Sequence, residues 1–241
     1  MIEIYSIKID GKIDSQKFKH LMQYVDKDKQ VSIKTFHKIE DSQRALAAAV
    51  LVRVIAMRRL GIDNCEIQFS TNEYGKPFVK GFPDFYFNIS HSGEWVVCAV
   101  DDKPIGIDIE QIQHVDLSLA DRFFSRQEVL DIHSKPIDEQ HSYFYDIWTL
   151  KESYIKAWGK GLSVPLDSFS LRLYDNRRIE LKTCNSFKEC FFKQFNIDHR
   201  YKLSVCALKN RFPSWVSNKS IDSILHFLEN EKKGGETMLW Y

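Results

Sequence analysis

The octapeptide PIGIDIEQ, residues 104 to 111, constrains the fold of this chain more than any other stretch. Ile105, Ile107 and Ile109 alternate with Gly106, Asp108 and Glu110, and successive side chains on a strand point to opposite faces. One face must therefore be covered by apolar residues, while the other carries two carboxylates roughly 7 Å apart. A single acidic alternation is common on half-buried strands, but no Lys or Arg lies between Gly106 and Asp121 to neutralise this one. Like charges held together invite a divalent cation. All-oxygen donors select a hard ion, magnesium with manganese as the alternative, which keeps waters and takes substrate phosphates as further ligands.

On either side of this strand the chain reads as two halves, 1–103 and 104–241. The first opens with an alternating strand over 3–9, passes a polar, Lys-rich stretch, and enters a long Ala- and Val-rich helix over 41–60 that Gly61 stops. Strands are expected over 66–70, 85–89 and 95–100. In the second half, helices are expected over 117–133 and 140–158. Strands follow over 169–174, 191–197 and 201–208, with a weaker one over 178–182. A last amphipathic helix over 221–233, with Ser220 as N-cap, stops at Gly234-Gly235 and leaves a loose tail. Each half is thus strand, helix, then an antiparallel group of strands, an α+β pattern, and WVVCAV (95–100) is echoed by LSVCAL (203–208).

Four further segments carry chemistry. WTLKESYIKAWGKGL (148–162) groups Ile147, Leu150, Tyr154 and Trp158 on one helix face and Glu152 with Lys156 on another. As an isolated pair these two would be an ordinary exposed ion pair. Beside the acidic strand they supply a third carboxylate and an ammonium, as a metal-bound diphosphate requires. FNISHSG (87–93) ends an apolar strand in a turn of Ser90, His91, Ser92 and Gly93, offering hydroxyls, an imidazole and backbone N–H groups to an anion. NEYGKPF (72–78) presents Lys76 from a constrained loop. KTFHKIEDSQR (34–44) clusters Lys34, His37, Lys38 and Arg44 around a helix start, where the dipole favours anions; Arg44 in a first turn needs an anion nearby.

Taken in order, YGKP, FNISHSG, IGIDIE and WTLKESYIKAWGKGL closely resemble the surfactin-type 4′-phosphopantetheinyl transferases, from Met1 to about Leu208. The resemblance implies transfer of the phosphopantetheine arm of coenzyme A to a serine of an apo peptidyl or acyl carrier protein, releasing adenosine 3′,5′-bisphosphate. It implies an α+β fold of two similar subdomains related by a pseudo-twofold, each an antiparallel sheet packed on helices, with the active site in the cleft between them, in a monomer. On matching positions, Asp108, Glu110 and Glu152 would hold Mg²⁺. Lys156 would contact the phosphates, His91 a phosphate or the leaving group, and Lys76, Ser90 and Arg44 the nucleotide end, with His37 and Lys34 or Lys38 as further candidates for its 3′-phosphate. Asp26 and Asp28 would oppose that phosphate. Glu152 is the expected proton acceptor. The carrier would dock on VDLSLADRFFSRQEVL (115–130), where Phe123 and Phe124 neighbour Arg122 and Arg126.

Composition narrows the alternatives. Thirty-four Lys and Arg against 33 Asp and Glu give a formal charge of +1, no general reason to expect nucleic acid or an anionic membrane. The N-terminus lacks the basic-then-apolar order of a signal peptide and Arg53 interrupts the most apolar stretch, so a cytoplasmic protein is expected. Five widely spaced cysteines form no C-x-x-C pair and are expected to be buried apolar residues. A magnesium-dependent phosphohydrolase and a binding module without chemistry are the rival readings. The first would release phosphate without an acceptor protein, and the intact acids and Lys156 oppose the second.

Overall fold

The computed structural model describes residues 1–176 and 178–232. Its core is two sheets packed face to face with a long helix on the outside of each. The first sheet contains β1 (Glu3–Lys8), β4 (Tyr86–Ser92) and β5 (Trp95–Asp101), and the second β6 (Ile105–Gln111), β9 (Phe191–Phe195) and β10 (Tyr201–Ala207). Strand order is β1-β5-β4 in one and β6-β10-β9 in the other, all antiparallel pairs. Helix α3 (Ile39–Leu60) follows β1, and α6 (Ile137–Trp158) follows β6. The same plan therefore occurs twice, and the echoed WVVCAV and LSVCAL are the central strands of the two sheets.

β5 shows why a central strand reads as continuously apolar. Val96, Cys98 and Val100 face α3, while Trp95, Val97 and Ala99 face the second sheet, so neither side meets water. In the second sheet the isoleucines of β6 meet Ile2, Ile4, Val97 and Ala99 between the sheets. The opposite face of β6 packs on α6. At Gly106 an added Cβ would lie 2.0 Å from the Ser153 carbonyl oxygen and 2.4 Å from the Ala157 nitrogen, so only glycine permits that approach. Both long helices end at a left-handed glycine, Gly61 at φ 66° and Gly159 at φ 79°.

Several expectations are corrected. The Lys-rich stretch forms two short helices, α1 (Ser15–Met22), capped by Asp14, and α2 (Lys27–Lys34). The strand expected at 66–70 starts later: residues 64–66 form a single 3₁₀ turn, and the hairpin is β2 (Phe69–Thr71) with β3 (Pro77–Val79). The expected helix 117–133 is two, α4 (Ser118–Phe123) and α5 (Arg126–His133). The chain turns extended at Phe124, and Ser125 with Glu128 forms a capping box that starts a new helix. Ser90, His91 and Ser92 belong to β4 itself, and the turn is Gly93-Glu94. The hairpin β7 (Phe169–Leu173) with β8 (Ile179–Thr183) packs beyond α6.

The C-terminal segment, assigned by sequence to the second half, returns to the first. β11 (Ser217–Lys219) adds to β1 in parallel, and α7 (Ile221–Lys232) buries Ile224, Phe227 and Leu228 against the α3 core. Gly234-Gly235 and the tail lie outside the described residues. Cys98 and Cys206 are buried as expected, but Cys65 and Cys184 are exposed. Among the described residues no helix is long and apolar enough to cross a membrane.

Candidate active site

β4 and β6 are facing edges of different sheets, and side chains bridge them instead of a backbone ladder. The Asn88 side-chain oxygen accepts from the Ile107 N–H at 2.8 Å. Ser90 Oγ donates to Asp108 Oδ1 at 2.9 Å, and Ser92 Oγ donates to Glu110 Oε2 at 2.9 Å while accepting from the Gln111 N–H at 3.0 Å. Period-two alternation explains the pattern: Asn88, Ser90 and Ser92 share one face of β4, as Asp108 and Glu110 share one face of β6.

The α6 helix closes the site, carrying Glu152 and Lys156 one turn apart. Lys156 Nζ reaches Asp108 Oδ1 at 2.5 Å and Ser90 Oγ at 3.1 Å. It is the cation that the acidic strand lacks locally. One ammonium does not balance three acids. Burial first, and then the neighbouring charges, raises all three carboxyls: Asp108 by burial against the pull of Lys156, Glu152 by burial and Asp108, and Glu110 to about 7 by burial and Asp108. Asp108 Oδ2 is buried without a hydrogen-bond partner. Among the described residues no three acidic, imidazole or thiol groups are gathered closely enough to form a metal cluster by themselves. The set fits a hard divalent cation that takes only part of its coordination from protein: the donors are oxygens, one is orphaned, and the surplus charge is negative.

Other predicted residues fall in different places. His91 points to the opposite face of β4, exposed; desolvation, then the charge of Arg44 and more weakly that of Lys156, hold its pKa below the ordinary value. Arg44 lies in the second turn of α3, and the anion it needs is Asp41 of its own helix; its other nitrogen donates to the Gly93 carbonyl at 2.8 Å. These two bonds hold the guanidinium beside the Gly93 turn. Lys76 lies at the edge of the cleft against β6 and α6. Its ammonium turns inward to three carbonyls, Lys156 at 2.6 Å, Ile105 at 3.0 Å and Ala157 at 3.2 Å, and desolvation lowers its pKa to about 8. Lys34, His37 and Lys38 are exposed before α3 and take no part in these bonds. In the expected docking segment, Phe124 is core, stacked on Phe144, and Phe123 meets the edge of Trp148. Leu119, Leu130, Arg122 and Arg126 remain exposed.

Two residues take roles not expected from sequence. Ser92, read there as a turn hydroxyl for an anion, is one: it donates to Glu110 instead. Lys151 of the W-T-L-K-E run is the other. It lies on the buried side of α6, paired with Glu128 at 2.9 Å, and touches none of the three acids.

The comparisons agree with this geometry. Residues 104–206 match the model of the 4′-phosphopantetheinyl transferase superfamily, and residues 12–103 that of the 4′-phosphopantetheinyl transferase N-terminal region. The chain is 42% identical over 224 residues to 4′-phosphopantetheinyl transferase Sfp of Bacillus subtilis, covering 93% of this chain and 100% of the relative. It is 39% identical to 4′-phosphopantetheinyl transferase gsp of Aneurinibacillus migulanus, covering 93% and 92%, and 36% identical to psf-1 of Bacillus pumilus, covering 95% and 100%. Alignment over nearly the whole of each relative leaves no half of the chain unaccounted for: it belongs to the 4′-phosphopantetheinyl transferase superfamily.

Proposed function

We propose that the cleft between β4, β6 and α6 transfers the phosphopantetheine arm of coenzyme A to a serine of an apo carrier protein, with Asp108, Glu110 and Glu152 holding Mg²⁺, or Mn²⁺ in its place. The observation that carries this reading is the surplus of buried carboxylate around Asp108, with one oxygen left without a partner. Three carboxylates about 5 Å from a diphosphate would repel it by roughly 3 kcal/mol per unit-charge pair at an effective dielectric near 20. When bound, the cation reverses that sign and stabilises charge developing on the phosphoryl oxygens.

The protein's own groups supply the rest. The carrier serine oxygen attacks the β-phosphorus of coenzyme A, forming a P–O bond as the bond to adenosine 3′,5′-bisphosphate breaks. Glu152, its proton affinity raised by burial and by Asp108, accepts the serine proton. Lys156, partly exposed beside Asp108, offsets charge on the phosphates, and His91, on the other face of β4 with its pKa held below the ordinary value by desolvation and Arg44, is the candidate contact to a phosphate or the leaving group. The exposed Leu119, Leu130, Arg122 and Arg126 form the carrier-facing surface, suited to a helix with apolar contacts and acidic neighbours. We place the reaction in a monomer, with peptidyl carriers as the first substrates to try.

The test is intact-mass spectrometry of an apo peptidyl or acyl carrier protein incubated with the chain and coenzyme A, with Mg²⁺ or with excess chelator. The expected result is one added phosphopantetheine arm only with metal, and none with a folded Glu152→Gln variant. No gain on either carrier overturns the reaction; a fully active Glu152→Gln overturns the role of Glu152.

A further inference from the structure

Ser92 occupies a place in the site that the transfer chemistry does not require, and the surrounding fold holds it there. Its hydroxyl has two partners on β6: it donates to Glu110 Oε2 at 2.9 Å and accepts from the Gln111 N–H at 3.0 Å. A hydroxyl that accepts from a fixed backbone N–H has its remaining proton directed, here at one carboxylate oxygen. Glu110 is half-buried and, among the described residues, no salt bridge reaches it, since the ammonium of Lys156 is bonded to Asp108. The Ser92 hydroxyl proton is thus aimed at Glu110 Oε2.

The next two residues form a turn that is clamped from three directions. Arg44 of α3 donates to the Gly93 carbonyl at 2.8 Å, the Tyr201 hydroxyl of β10 accepts from the Glu94 N–H at 3.0 Å, and the Glu94 carbonyl accepts from the Ile9 N–H at 2.7 Å. Gly93 has φ +54°, and a Cβ there would meet the Tyr201 hydroxyl at 2.1 Å and the Gln111 side-chain oxygen at 2.6 Å. Arg44 comes from the first half of the chain and Tyr201 from the second, so the turn that fixes Ser92 is held by both. A serine in an unconstrained turn would sample several rotamers. This one is fixed at both ends.

We propose that Ser92 is a positioning residue that sets the Glu110 carboxylate for the divalent cation, and that the Gly93-Glu94 turn, clamped by Arg44 and Tyr201, holds it in register. This deepens the reading above and rests on Glu110 being a metal ligand. Ser92 acts through Glu110.

The experiment is a Mn²⁺ titration followed by electron paramagnetic resonance of the free ion, in the presence of coenzyme A. It uses the full chain and its Ser92→Ala, Ser92→Thr and Glu110→Gln variants, with thermal melts of each. The expected result for Ser92→Ala is roughly ten-fold weaker Mn²⁺ binding, the loss of one hydrogen bond to a charged group, in a chain that still melts cooperatively but at a lower temperature, because the Gln111 N–H loses its acceptor. Ser92→Thr, which keeps the hydroxyl, should restore the affinity, and Glu110→Gln should weaken it at least as much as Ser92→Ala. If Glu110→Gln weakens binding and Ser92→Ala does not, the positioning role is overturned while the metal site stands. If Ser92→Thr fails to restore affinity, steric fit and not the hydroxyl is responsible, and the role is again overturned. If the full chain binds no Mn²⁺, or Glu110→Gln binds as tightly as the full chain, the metal assignment of Glu110 fails and the inference with it.

Discussion

Replacing Lys151 by Met separates a fold-supporting lysine from the face of the same helix proposed to act in transfer. Lys151 is fully buried: its ammonium donates to the Leu166 and Phe169 carbonyls, each at 2.8 Å, pairs with Glu128 Oε2 at 2.9 Å, and lies 4.2 Å from the centre of the Phe169 ring. Glu128 is equally buried and also accepts from the Ser125 N–H, the Ser125 hydroxyl and the Leu171 N–H, each at 2.8 Å. Burial lowers the pKa of Lys151 while Glu128 pulls it back up. Methionine keeps the stem but leaves a buried carboxylate without its cation and two carbonyls without their donor. Breaking a buried pair from one side costs about 3–5 kcal/mol. At about 2–4 °C per kcal/mol for a chain of this size, the melting temperature should fall by roughly 6–20 °C. Urea unfolding at neutral pH, followed by circular dichroism, measures the free energy. The Glu128→Gln/Lys151→Met double variant removes the stranded charge while keeping one of the two acceptor oxygens, so it should be more stable than Lys151→Met. If Lys151→Met stays within about 1 kcal/mol of the parent, or the double variant is no more stable than the single, the electrostatic account is wrong.

Two further outcomes follow from the same structure. Gly106→Ala places a Cβ 2.0 Å from the Ser153 carbonyl oxygen, a backbone atom that cannot swing aside. It should cost about 3 kcal/mol or more, and should weaken Mn²⁺ binding as α6 carries Glu152 away from Asp108; a stable variant of unchanged affinity would refute the close packing. Lys76 has a folded pKa of about 8 against an ordinary 10.5, so from pH 8 to 10.5 the unfolded state holds the proton that the folded state has lost. The chain should therefore gain stability relative to Lys76→Met as pH rises through that window, and show a constant difference below it. Urea melts of both proteins at neutral and at alkaline pH measure this; parallel pH curves would mean that the ammonium is not desolvated.

Much of the fold could be read from local chemistry. The alternation of Ile105, Ile107 and Ile109 with Asp108 and Glu110 requires a strand with an apolar and an acidic face, since side-chain direction on a strand has period two. The Ala-rich run stopped by Gly61, and the amphipathic run stopped by Gly159, mark the two long helices through the left-handed conformation a helix end demands. Glu152 and Lys156 share a face because four residues make about one helical turn. These features need only the residues within a few positions of one another, so strand, helix and the three acids were legible from sequence.

Which groups spend their charge where is a different matter. Lys76 and Arg44 look like free cations in the sequence, but one is turned into three carbonyls and the other is held by Asp41 and the Gly93 turn. The break at Phe124 depends on that ring finding Phe144 and Trp148, and α7 belongs to the first half because its apolar face completes the α3 core. The partner of the acidic strand is Lys156, 48 residues away, and the serines that orient its acids lie 18 residues before it on another sheet. Sequence determined which side chains are offered to each face, because that follows from backbone periodicity. Only the tertiary structure decided which of them meet, because contact between distant segments is settled by the packing of whole sheets and helices.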